Sequence, residues 1–241
     1  MPRRSSRAAG AAAGLACACA LWSAHAAGAS LEVNPVRLTL SAAQPVAALA
    51  VRNADARPAV LHLEIVAWTQ DGAADHYAPS RELLATPPIF TLPPGATQTV
   101  RVGSRRAMDP ERERAFRLYL QEVPDSAAPE GTGVRIALRL GVPVFVRPRG
   151  PAAPRLSWRA ERAGGAVLLQ ARNTGGVHAR IVALRLLAGS GNLAEAPGAY
   201  VLAGQSRQWR LSVARVPAAG TVLRVTAKTA AGDVHADVAL E

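Results

Sequence analysis

The sequence predicts an all-β chain folded as two β-sandwiches in series. Apolar and polar residues alternate in twos through segment after segment, with Gly, Pro, Asn and Asp gathered between them. No stretch carries the three-and-four apolar spacing of an amphipathic helix. The pattern stops at Arg147-Pro148-Arg149-Gly150-Pro151, a short linker stiff by composition, and restarts beyond it. That break divides 241 residues into two stretches of ordinary domain size.

Residues 1–26 stand outside both sandwiches. Arg3, Arg4 and Arg7 precede an uncharged apolar run from Ala8 to Trp22, and Ala24-His25-Ala26 supplies a small-x-small cleavage pattern. This is the layout of a secretory signal peptide, so export is expected. Both cysteines, Cys17 and Cys19, lie in the leader, and neither has the Leu three residues upstream that marks a lipoprotein box. The mature chain is expected to hold no disulfide and no thiolate metal site. No later run approaches about 20 apolar residues, so no membrane insertion is expected.

The first domain is expected over residues 27–148. Residues 31–40 begin it as a strand in which Pro35 marks an edge or bulge. Residues 46–53 form a second strand, closed by a turn at Asn53-Ala54-Asp55, and residues 60–68 a third, ended by the turn signal Asp71-Gly72. Residues 82–92 follow, then Pro93-Pro94-Gly95 turns the chain into residues 97–102, and residues 116–123 end at Pro124. The longest alternating run is Val134 to Pro148. Val134, Ile136, Leu138, Leu140, Val142 and Val144 share one face; Arg135, Ala137, Arg139, Gly141, Pro143 and Phe145 share the other. Pro143 lacks an N–H and places part of this strand at an edge or bulge. Short strands at this spacing suit an immunoglobulin-like sandwich. The second domain, residues 149–241, offers strands at 156–160, 167–173, 179–187, 208–213, 221–228 and 234–240. Val51-Arg52-Asn53 and Ala171-Arg172-Asn173 hint that the two folds are alike.

Composition excludes several functions. The formal net charge is +11, to which the leader arginines contribute three, and Lys228 is the only lysine. The arginines are scattered through alternating strands without basic runs or interleaved aromatics, so no nucleic-acid partner is expected. Past the leader, His62, His76, His178 and His235 show no zinc spacing, and no nucleophile elbow, phosphate loop or dinucleotide fingerprint occurs. Glu111 and Glu113, two apart in an Arg-rich loop, read as a solvated ion-pair cluster. No catalytic residue, metal or cofactor is expected.

The ordered pieces Asn34-Pro35-Val36-Arg37-Leu38, Val51-Arg52-Asn53, residues 85–95, residues 116–124 and the long strand ending in Val146-Arg147-Pro148 resemble the PapD-like periplasmic chaperones of the chaperone–usher pilus pathway. The resemblance spans the mature chain and implies two immunoglobulin-like domains set in an L. It implies that residues 134–146 are lent to the groove of a pilus subunit, with Val134, Ile136, Leu138 and Leu140 filling subsites, before delivery to an outer-membrane usher. Classical members carry a lysine in the long strand; here Pro143 stands in its place, and Val142-Pro143-Val144-Phe145 looks more like the archaic branch serving spore-coat-U-like pilins. That implies Arg117 as anchor of the subunit's terminal carboxylate, with Arg37 at the position of the classical first-strand arginine. Two other classes stay open. A sugar-binding sandwich would call for exposed aromatics, and the chain has four Trp, three Tyr and three Phe. A pilus subunit would lack the second domain.

Overall fold

A computed structural model describes residues 30–106, 108, 110–124 and 137–241. The described residues form strands and no helix. The first sandwich holds β1 (Leu31–Asn34), β2 (Leu38–Leu40), β3 (Val46–Asn53), β4 (Ala59–Gln70), β5 (Asp75–Pro79), β6 (Leu83–Thr86), β7 (Ile89–Leu92), β8 (Thr97–Ser104), β9 (Arg114–Glu122) and β10 (Arg139–Val146). One sheet runs β1-β3-β8-β6; the other runs β2-β10-β9-β4-β5, with β7 beside β4. Val51, Val100 and Val102 from the first sheet meet Leu61, Phe116, Leu118, Leu120 and Val144 from the second, all fully buried. This is the inward half of the period-2 pattern, and its burial drives the sheets together.

Two expected strands are split. Residues 31–40 divide into β1 and β2, which belong to opposite sheets, and the chain crosses between them at the cis Asn34–Pro35 peptide. Residues 82–92 likewise divide into β6 and β7 at the cis Thr86–Pro87 peptide. A proline donates nothing to a ladder, so each marks where pairing ends and the chain changes sheets. β5 was not anticipated: it returns from the Asp71-Gly72 turn along β4, but is almost entirely exposed and therefore shows no apolar alternation. The long strand is shorter than expected among the described residues, where β10 spans Arg139–Val146; Val134 and Ile136 fall outside them.

The second sandwich holds β11 (Leu156–Ala163), β12 (Ala166–Asn173), β13 (Ala179–Ala188), β14 (Gly191–Val201), β15 (Ser206–Ser212), β16 (Val222–Thr229) and β17 (Gly232–Ala239). Its sheets run β11-β12-β15 and β14-β13-β16-β17 around a core that includes Val167, Leu169, Leu186, Leu223 and Val225. β14 was missed because Gly, Ala and Pro dominate it; a Cβ on Gly198 would sit 2.5 Å from the Ile181 carbonyl oxygen.

The sandwiches meet around a third cluster, Trp68, Phe145 and Leu202, with Tyr200 against it. Phe145 is on the face of β10 opposite the core valines, so one strand serves the core with one face and the interdomain contact with the other. His178 stacks on Phe145 with centroids 3.8 Å apart, and its Nδ1 lies 2.6 Å from Glu113 Oε1. Glu113 Oε1 also accepts from the His178 N–H at 2.9 Å. The Glu113 side chain is 3% exposed, which corrects its reading as part of a solvated cluster; Glu111 alone is exposed. Gln70 completes the joint: its Nε2 donates to Tyr200 O at 3.0 Å and its Oε1 accepts from Leu202 N at 2.9 Å.

Candidate functional site

β10 is paired on one side along its whole length by β9, but on the other side β2 reaches only Val144–Val146. Among the described residues nothing pairs with Arg139–Pro143 on that second side. Glu122 N donates to Leu138 O at 2.8 Å, which sets the phase of the β9–β10 ladder. Alternation then turns the main-chain groups of Leu140 and Val142 toward β9, and those of Arg139, Gly141 and Pro143 toward the open side. Pro143 thus occupies a position whose N–H would have had no partner in this chain. The edge leaves carbonyls and N–H groups free for an added strand.

Beside that edge lies a row of cations and aromatics. Arg117 stands opposite Pro143 and Val66 in the sheet, on the face turned away from the core. Its guanidinium lies 4.4 Å from the Trp68 ring centroid and 5.5 Å from that of Tyr77. Tyr77 meets Tyr119 edge-on at 6.0 Å, and Arg139 covers Tyr119 at 3.8 Å while contacting Glu64 at 3.4 Å. Burial pushes the Tyr77 phenol up from its ordinary value, with Arg117 acting the other way. These ring contacts attract the Arg117 cation but give its N–H groups no oxygen acceptor. Its Nε is buried without a hydrogen-bond partner, and no carboxylate of the described residues pairs with it.

Residues 30–152 match the family model described as pili and flagellar-assembly chaperone, PapD N-terminal domain. The chain belongs to this family. Solved structures agree on the fold. A chain of the CsuC–CsuE chaperone–tip adhesion subunit complex of Acinetobacter baumannii archaic Csu pili is 19% identical with a TM-score of 0.69, over 88% of this chain and 99% of that one. The E. coli chaperone DraB is 20% identical with a TM-score of 0.59, over 88% and 96%. A chain of the Salmonella enterica SafA pilin–SafB chaperone complex is 18% identical with a TM-score of 0.60, over 86% and 95%. No curated protein sequence matches the chain.

Of the residues expected in the chaperone's site, Arg117 is in the row just described. Arg37 is exposed immediately before Leu38, which is opposite Val144, so the two cations stand at neighbouring levels on either side of β10. Leu138 is half-buried at the start of the open edge, its N–H donating to Glu122 Oε2 at 3.2 Å. Leu140 is half-buried against the chaperone's own core, and Val142 and Val144 are inside it. The inward row therefore grades from core to edge.

Sequence reasoning missed Trp68, Tyr77, Tyr119, Arg139 and Gly141. Arg117 and Tyr119 are two apart on β9, a same-face signal, but Trp68 reaches Arg117 from the neighbouring strand β4 and Tyr77 only through the unanticipated β5. Gly141 has a specific reason to be glycine: a Cβ there would lie 2.9 Å from Arg117 Cδ and 3.2 Å from Tyr119 Cε1. Gly141→Ala is expected to displace Arg117 from Trp68 while costing about 1 kcal/mol of stability. Subunit binding should fall, and Gly141→Ala combined with Arg117→Ala should bind no worse than Arg117→Ala alone. Additive losses in that cycle would separate Gly141 from the arginine.

Proposed function

We propose that the chain is a non-catalytic periplasmic chaperone that captures pilus subunits by strand addition along β10 and delivers them to an outer-membrane usher. The observation that carries this is the unpaired edge Arg139–Pro143 beside a half-buried Arg117 whose buried Nε has no hydrogen-bond partner. A subunit strand laid along that edge satisfies the free main-chain groups, as in β-augmentation. Arg117 receives the subunit's terminal carboxylate and sets the register. Leu138 and the residues before it, including Val134 and Ile136, offer apolar side chains to the subunit groove. Leu140 adds what its half-burial leaves available. Each aliphatic chain buried contributes about 1.5–3 kcal/mol before ordering costs, so capture is firm yet displaceable by a better-fitting strand. The mature domains are taken as residues 27–148 and 149–241, and the Pro143 departure assigns the chain to the archaic branch. Strand exchange requires no cofactor.

Leu138→Asp tests the reading. The substitution is expected to abolish subunit pull-down from a periplasmic co-expression while circular dichroism remains that of a folded β protein, because a carboxylate would enter a dry groove. Undiminished pull-down by a folded variant would overturn it.

A further inference from the structure

The first sandwich carries a second cationic feature, on the side away from the β10 edge. Arg81, Glu82, Arg105, Arg106, Met108, Pro110 and Arg114 line a cavity of about 660 Å³, within the size range of ligand pockets. The chain builds it from three places: the approach to β6, the exit of β8 and the first residue of β9. Arg105 N donates to Glu82 O at 3.0 Å, fixing the β8 exit against the β6 approach. Arg114 grips the Glu82 carboxylate through both Nη atoms, Nη2 at 2.7 Å from Oε1, so that acid is already neutralised. Arg81, Arg105 and Arg106 are exposed, and their guanidinium groups have no ion-pair or hydrogen-bond partner among the described residues. Three unpaired positive charges thus surround a concavity with Met108 and Pro110 as its apolar part.

We propose that this cavity binds an acidic peptide segment of a second protein while a subunit occupies the β10 edge. Arginine forks match carboxylates with paired N–H donors, and the Arg114–Glu82 contact in the wall is already one such pair. The volume holds several side chains rather than one ion, and Met108 and Pro110 suit an aliphatic side chain between the acids. No aromatic lines the cavity for stacking on a nucleobase or for seating at a membrane interface. Position allows both partners at once. β6 is the last strand of its sheet and packs toward β4, whereas the open side of β10 is the side on which β2 pairs, at the far end of the other sheet from β4.

The test uses the mature chain and a fluorescein-labelled Asp-Leu-Asp-Leu-Asp peptide followed by anisotropy. Binding is expected, weakening as salt rises and falling at least about tenfold in a variant carrying Arg105→Gln and Arg106→Gln, both exposed and safe for folding. Arg117→Ala should leave peptide affinity unchanged. Absence of peptide binding overturns the proposal, as does equal binding of Asn-Leu-Asn-Leu-Asn or an affinity unaltered by the double variant. A loss in Arg117→Ala as large as in the double variant would place the peptide at the β10 cleft instead. Displacement by equimolar inorganic phosphate would identify a simple anion site. Capture by phosphatidylcholine–phosphatidylglycerol vesicles without peptide binding would identify a lipid surface; either result also overturns it.

Discussion

Arg117→Ala is expected to weaken subunit capture roughly ten- to a hundredfold while leaving both sandwiches folded. A charge-assisted hydrogen bond in a partly buried site contributes about 1.5–3 kcal/mol, which is that range of affinity. The surroundings of the arginine suit the proposed role. Gly141 leaves room for its stem, the Trp68 ring lies 4.4 Å from its guanidinium, and its buried Nε has no acceptor. A guanidinium held this way is preorganised, so little rotamer entropy is lost when a carboxylate arrives. Losing the Trp68 stack should cost about 0.5–2 kcal/mol of stability, too little to unfold the chain. Arg117→Lys should be nearly as damaging, since an ammonium neither stacks in the same way nor presents a fork. Arg37→Ala should act similarly if both cations hold the carboxylate, and scarcely at all if Arg117 acts alone. Binding to a subunit with its native C-terminus, and to one extended by a few residues, separates these roles. An Arg117→Ala variant that binds both as wild type does would remove the residue from the site.

What the sequence revealed and what it hid follow from how each feature is encoded. Core strands such as β3, β4, β9 and β12 were legible because one face is buried, and burial writes itself as alternation. β5 and β14 carry little inward apolar surface and were invisible on the same principle. Pro35 was read as an edge or bulge, but sequence alone did not show that Pro35 and Pro87 separate strands of different sheets. Arg117 was expected through family resemblance; its environment could not be read, because Trp68, Tyr77 and Gly141 come from three other strands. Glu113 shows the opposite failure. Its Arg-rich neighbours suggested solvent, yet the second sandwich covers it with His178, a contact across 65 residues. Long-range partners of this kind leave no local periodicity to read.

The hint in Val51-Arg52-Asn53 and Ala171-Arg172-Asn173 proves to be a repeated structural device, and its removal carries the largest expected stability loss. Asn53 and Asn173 are both fully buried. Asn53 Nδ2 donates to Arg57 O at 2.7 Å and Leu92 O at 2.9 Å, and its Oδ1 accepts from Asp55 N at 2.9 Å. Asn173 repeats this with Val177 O at 2.8 Å, Val201 O at 3.0 Å and Gly175 N at 3.0 Å. The opposing loops match as well. Ala96 O accepts from Asn53 N and Gln205 O from Asn173 N, after Gly95 at φ 69° and Gly204 at φ 73°, left-handed positions that favour glycine. Asn173 has one further duty, because its Oδ1 also accepts from Arg155 N at 3.0 Å and so ties down the residue that leads into β11. An alanine at Asn173 leaves two buried carbonyls and two N–H groups without this amide, and one at Asn53 leaves the buried Leu92 carbonyl and the part-buried Asp55 N–H without it, at about 1–3 kcal/mol each. Asn53→Ala should therefore cost about 3 kcal/mol or more, and Asn173→Ala about 1 kcal/mol beyond that. Urea unfolding followed by tryptophan fluorescence measures both, with Trp158 and Trp209 reporting on the second sandwich and Trp68 on the joint. Losses under about 1 kcal/mol for either variant would mean that water replaces the amide and that the paired asparagines do not lock the loops.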